Sequence, residues 1–134
     1  MRKVVIDCGA NVGNSLREFI QKYPDYEFYG FEPNVDLHPL IQEKVAATGH
    51  EHVNISECAV WTEDGVIDLF LGHHESSTVL PGKRVPARYN QQIDYSSPRP
   101  VPSLDFSAWL GREFTADDYI IVKMNIEGAE YPIL

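Results

Sequence analysis

The chain has 134 residues, room for one domain, and 43% of them are hydrophobic, enough for an ordinary soluble core. Its formal net charge is −9, and so acidic a surface repels phosphate backbones, which argues against nucleic acid as a partner. No apolar run approaches the roughly 20 residues that cross a bilayer, and the opening Met1 to Ile6 is too short for a signal peptide, so no membrane association and a cytoplasmic location are expected.

Strand and helix signals alternate from the start. Lys3 to Ile6 is a short β-branched run that enters a glycine-rich turn. Ser15 to Lys22 has helical spacing, with Leu16, Phe19 and Ile20 on one face, Asn14 or Ser15 as N-cap, and Pro24 as the stop. Glu27 to Phe31 reads as a strand. Asp36 to Thr48 reads as a helix with Leu37, Leu40, Ile41 and Val45 inward and Gly49 at its end. His52 to Cys58 is a third strand. This alternation predicts right-handed crossovers and a parallel sheet.

The middle of the chain changes character. Val60 to Thr62 and Val66 to Leu71, on either side of Glu63-Asp64-Gly65, predict a β-hairpin. Residues 73–102 hold Pro81, Pro86, Pro98, Pro100 and Pro102 and read as one long loop, longer than a connector needs to be. Leu104 to Leu110 then reads as a short helix capped by Ser103 or Asp105, and Tyr119 to Met124 as a strongly apolar strand. Glu127 to Leu134 looks like the opening of another helix. Cys8 and Cys58, at the ends of strands with another strand between them, should lie about 10 Å apart. That is beyond the ~7 Å reach of a disulfide, so both are expected to be reduced and buried.

Two segments carry chemistry. Val5-Ile6-Asp7-Cys8-Gly9-Ala10-Asn11-Val12-Gly13 runs a strand into a turn with glycines four apart and then into a helix. Gly9 permits a sharp turn, absent side chains let a ligand approach the backbone, and the helix start offers free N–H groups. Phe31-Glu32-Pro33-Asn34 ends the second strand, with Glu32 nineteen residues beyond Gly13. An acid at that place can accept hydrogen bonds from both ribose hydroxyls of a nucleoside. A dinucleotide loop, G-x-G-x-x-G, needs glycine where Asn11 stands, and here the last glycine comes one residue early. The negative charge of Asp7 would also oppose a pyrophosphate and suit a cation. S-adenosylmethionine has a sulfonium, an ammonium and no phosphate, so it fits these residues better than NAD.

With Val122-Lys123-Met124-Asn125-Ile126-Glu127-Gly128-Ala129-Glu130 added, these motifs resemble those of the FkbM family of methyltransferases. The resemblance implies a seven-stranded Rossmann-like sheet and methyl transfer to a hydroxyl of a sugar or other small-molecule acceptor. It implies that Asp7, Gly9, Asn11 and Gly13 line the methionine end of S-adenosylmethionine. Glu32, followed by Pro33, would hold the ribose, Glu57 and Ala59 would flank the adenine, and Lys123 to Glu130 would close the site. The family commonly has Asp where Asn125 stands; Asn keeps the shape and hydrogen bonding but cannot act as a base. The implied layout needs three more strands. The chain therefore reads as one partial domain over residues 1–134: an α/β parallel sheet with flanking helices, four core strands and a hairpin insertion. The Tyr119–Met124 strand would then be an unprotected edge, able to self-associate.

Glu127, Glu130 and His74 are the candidate bases for the acceptor hydroxyl. No ligand cluster calls for a metal, and His38, His50 and His52 fall on or beside surface elements. Two other readings stay open. One is an NAD(P)-binding Rossmann oxidoreductase with an atypical glycine loop. The other is a non-catalytic or degenerate methyltransferase fragment, motivated by Asn125 and the missing strands.

Overall fold

The computed structural model of the protein describes residues 1–69 and 98–124. His74, Asn125, Glu127, Glu130 and the expected closing helix lie outside the described residues. Lys3–Cys8 forms β1, Glu27–Phe31 β2, Val53–Ser56 β3 and Tyr119–Met124 β7. They pair in parallel in the order β3-β2-β1-β7, the parallel sheet that the alternation predicts.

β1 is central and buried on both faces, which is why Val4 to Ile6 are apolar on both faces with no polar alternation. Val4, Ile6 and Cys8 pack on one side with Phe31, Val60, Phe106 and Phe114. Val5 packs on the other side with Leu16, Ile20, Phe28 and Ile41. That second face is covered by α1 (Asn14–Lys22) and α2 (His38–Thr48), which pack against each other. β7 is at the edge, and among the described residues its one strand neighbour is β1.

Several local expectations need correction. The cap of α1 is Gly13 in a left-handed conformation, not Asn14 or Ser15, because the Ser15 hydroxyl is turned to Asp7. A 3₁₀ turn, Val35–Leu37, precedes α2, capped by the Asn34 side chain accepting from Asp36 N–H. Leu40 is 43% exposed, so the inward residues of this segment are Leu37 of the 3₁₀ turn and Ile41 of α2, with Val45 half-buried. Cys8 and Cys58 are both free thiols; Cys8 is buried, but Cys58 is only half-buried. Burial pushes the Cys8 thiol up to about 12, so it stays protonated and inert.

The expected hairpin does not form. Ala59–Trp61 (β4) and Gly65–Leu69 (β5) are separated by Arg99–Asp105 (β6), in the order β4-β6-β5. β6 runs parallel to β4 and antiparallel to β5. The end of the proline-rich loop is therefore a strand. β4 pairs with Ser103 to Asp105, so among the described residues one edge of β6 has no strand neighbour at Pro100 and Pro102. A proline there can turn its missing N–H outward without losing a ladder bond. The helix that follows, α3 (Phe106–Glu113), starts later than the spacing predicts, with Asp105 as its cap: its side chain accepts from Ala108 N–H at 3.1 Å. α3 brings Phe106 and Trp109 edge-on against Phe31, closing the first core.

Candidate functional site

The carboxyl ends of β1, β2 and β7 meet at the glycine turn. Leaving β1, the chain adopts positive φ at Gly9 (84°), Asn11 (52°) and Gly13 (91°). Asn is among the few side chains that tolerate such a conformation, so Asn11 serves where a glycine would otherwise stand. Gly13 has a second constraint: a Cβ there would sit 3.2 Å from the Ile41 backbone of α2. Its smallness serves the packing of the turn on α2. Lys44 of α2 completes that contact by donating to the Val12 carbonyl at 2.6 Å.

The turn is bonded to the end of β2. Gly9 and Ala10 N–H both donate to the Phe31 carbonyl, at 2.9 and 3.0 Å, and Gly13 N–H donates to the Ala10 carbonyl at 2.9 Å. Glu32, 3% exposed, points its carboxylate into the bend. One oxygen accepts from Asn11 N–H and the other from Asn34 N–H, each at 2.8 Å. Its backbone is fixed as well: its N–H donates to the Ser56 carbonyl, and His38 Nε2 donates to its carbonyl at 2.7 Å. Burial pushes the Glu32 carboxyl above its ordinary 4.5, and the two backbone N–H bonds oppose that rise. A carboxylate offers about four acceptor directions, so roughly two remain for a ligand's hydroxyls.

Asp7 is fully buried on the α1 face. Its cross-strand neighbour Lys123 sets an ammonium 3.1 Å from Oδ1, and Ser15 Oγ donates to Oδ2 at 3.3 Å. Oδ1 has no aligned hydrogen bond, so its charge is met by the ion pair alone. Burial raises the Asp7 carboxyl above its ordinary 3.8, and Lys123 opposes this. An internal cation thus meets the charge that the sequence assigns to a cationic ligand. Repulsion of a pyrophosphate by Asp7 loses its force as an argument.

Of the remaining expected residues, Pro33 is half-buried beside Glu32, and Glu57 is exposed just past β3. The side chain of Ala59 packs with Leu69 and Val101 in the core of the small sheet. Site residues that the sequence reading missed are Asn34, His38, Lys44 and Ser15, with Lys123 noted only as part of a motif. Asn34 had a local signal, as an Asx turn after a proline. Lys44 and Lys123 act through partners distant in sequence, while His38 and Ser15 reach Glu32 and Asp7 only once the chain has turned back after the strand. Arg99 of β6 also reaches this end, donating to Asn34 Oδ1 at 3.2 Å and to Asp36 Oδ2 at 3.1 Å. Among the described residues, no three His, Cys, Asp or Glu side chains gather as a metal site would require. No described helix is long and apolar enough to cross a membrane.

Parallel strand order β3-β2-β1-β7, a glycine turn after the first strand and an acid ending the second define a Rossmann-like α/β protein, as the sequence predicts. Methyltransferases and dinucleotide enzymes share those features, so the fold alone leaves the two open. The family model described as Methyltransferase FkbM domain matches residues 7–134, and the chain belongs to that methyltransferase family. The match begins at Asp7, the first site residue. No curated protein matches the chain.

Proposed function

We propose that this chain binds S-adenosylmethionine at the glycine turn and serves methyl transfer to a hydroxyl of a sugar or other small-molecule acceptor. The observation that carries this reading is the Glu32 carboxylate, fixed between Asn11 N–H and Asn34 N–H with acceptor capacity left for a ribose diol. The turn supports a nucleoside without phosphates. Of the five amides from Gly9 to Gly13, four already donate within the protein: Gly9, Ala10, Asn11 and Gly13. A pyrophosphate needs such amides free.

S-adenosylmethionine, when bound, supplies a methyl group on a sulfonium. The protein's part is to hold the ribose through Glu32, keep the turn in shape, and align the acceptor oxygen at attack distance. A base would take the acceptor's proton as the methyl carbon exchanges its bond to sulfur for one to oxygen, the sulfur leaving as a neutral thioether. His74, Glu127 and Glu130 are the proposed candidates for that base.

Titration calorimetry with S-adenosylhomocysteine and with NAD tests the reading. Saturable binding of S-adenosylhomocysteine, with none of NAD, is the expected result. Binding of NAD alone would replace it with the oxidoreductase reading.

A further inference from the structure

Lys123 leaves the end of β7 and reaches under the start of α1. Its ammonium lies 3.1 Å from Asp7 Oδ1, 3.1 Å from Ser15 Oγ and 3.4 Å from the Gly9 carbonyl. Three oxygens surround this ammonium: it donates to Ser15 Oγ and to the Gly9 carbonyl, and it meets Asp7 Oδ1 as an ion pair. Two of them bracket the glycine turn, Gly9 at its first residue and Ser15 just beyond its last. The third is the buried carboxylate of Asp7, next to last in β1. One side chain therefore ties β1, the turn, α1 and β7 together.

The geometry points to Lys123 as a positioning residue for the nucleoside site, acting through the turn. Holding the Gly9 carbonyl orients the peptide that continues into Ala10, whose N–H bonds to Phe31. Holding Ser15 fixes where α1 begins. Between those anchors, Asn11 N–H is kept against Glu32. The same ammonium balances Asp7, so the turn meets a ligand without an unpaired buried charge. The ligand part of this inference rests on the proposed S-adenosylmethionine site; the part concerning the turn does not.

The alternative is that Lys123 only compensates the charge of Asp7. Two variants separate these roles. Lys123→Met removes the clamp and strands the Asp7 charge. The double variant Lys123→Met with Asp7→Asn removes the clamp and the charge together, so it keeps the test alive if the single variant fails to fold. Amide hydrogen exchange is followed at Gly9, Ala10, Asn11 and Gly13, with Ile41 of α2 as reference, and S-adenosylhomocysteine affinity is measured beside it. In the double variant the melting temperature should return toward wild type. The turn amides should still exchange at least tenfold faster relative to Ile41, and affinity should stay at least tenfold weaker. Wild-type exchange in the turn of a double variant with restored melting temperature would overturn the inference. If the unmodified chain fails to bind S-adenosylhomocysteine, the functional reading falls, while the exchange comparison still decides the role of Lys123.

Discussion

At the amino end of the four-stranded sheet, acids meet their partners near water; at the carboxyl end, two acids are buried. Around the amino end, Arg2 makes two bonds of 2.9 Å to Glu27, donates to the Glu113 carbonyl and to Tyr29, and lies over the Phe114 ring. Asp118 accepts from the N–H groups of Arg2 and Thr115. The hydrogen bonds to Arg2 hold the Glu27 carboxyl below its ordinary range, and those from Thr115 and Arg2 do the same for Asp118. At the carboxyl end, burial raises both Asp7 and Glu32. The first arrangement fastens chain segments through a half-exposed ion pair, Arg2 with Glu27, and through backbone N–H bonds to Asp118. The second keeps charged groups where ionisation is opposed, which costs stability. Perturbed acids in such a place are the mark of a site, and the carboxyl ends of parallel strands are where such sheets bind ligands.

Changes at the two ends should separate affinity from stability. The largest effect is expected from Glu32→Gln, which sets an amide NH₂ against one of two backbone N–H groups and removes the charge. Affinity for S-adenosylhomocysteine should fall about a hundredfold by calorimetry, in line with the ~1.5–3 kcal/mol of a hydrogen bond to a charged group. Next is Gly13→Ala. A left-handed backbone and the nearby Ile41 backbone together should lower stability by about 2 kcal/mol, read from the urea midpoint.

The two ends also predict opposite responses to acid. Raised acids hold more protons folded than unfolded, so stability rises as pH falls through the raised values of Asp7 and Glu32 toward the ordinary ones. The lowered acids Glu27 and Asp118 contribute stability above their ordinary values, and it is lost as pH falls through their depressed ones. Urea denaturation across pH should show Asp7→Asn flattening the gain just above the ordinary 3.8, and Glu27→Gln flattening the loss below the ordinary 4.5. The smallest effect belongs to Arg2→Met. In a double-mutant cycle with Glu27→Gln, an ion pair this exposed should account for under ~1 kcal/mol of stability, and ligand affinity should not change.

The carboxyl end was legible in the sequence where its signals are local. The apolar run of β1, the Gly9–Gly13 spacing and the position of Glu32 each follow from a few consecutive residues. The Tyr119–Met124 strand was equally plain. The small sheet was not. β4 and β5 are near in sequence and look like a hairpin, yet both pair with a proline-bearing strand that begins at the end of the expected loop. Local pattern also fails for Asp7. Its charge suggested a cationic ligand, because Lys123, at the other end of the chain, becomes its neighbour only when β1 and β7 pair. The N-cap of α1 was misread for a similar reason, since Ser15 serves Asp7 instead of the helix.

The most direct test follows backbone amide resonances during titration with S-adenosylhomocysteine. The amides of Asn11 and Asn34, which grip Glu32, should shift saturably, while those of Arg2 and Thr115 at the opposite end stay in place. Shifts confined to the amino end, or none at Asn11 and Asn34 on saturation, would contradict a nucleoside held by Glu32.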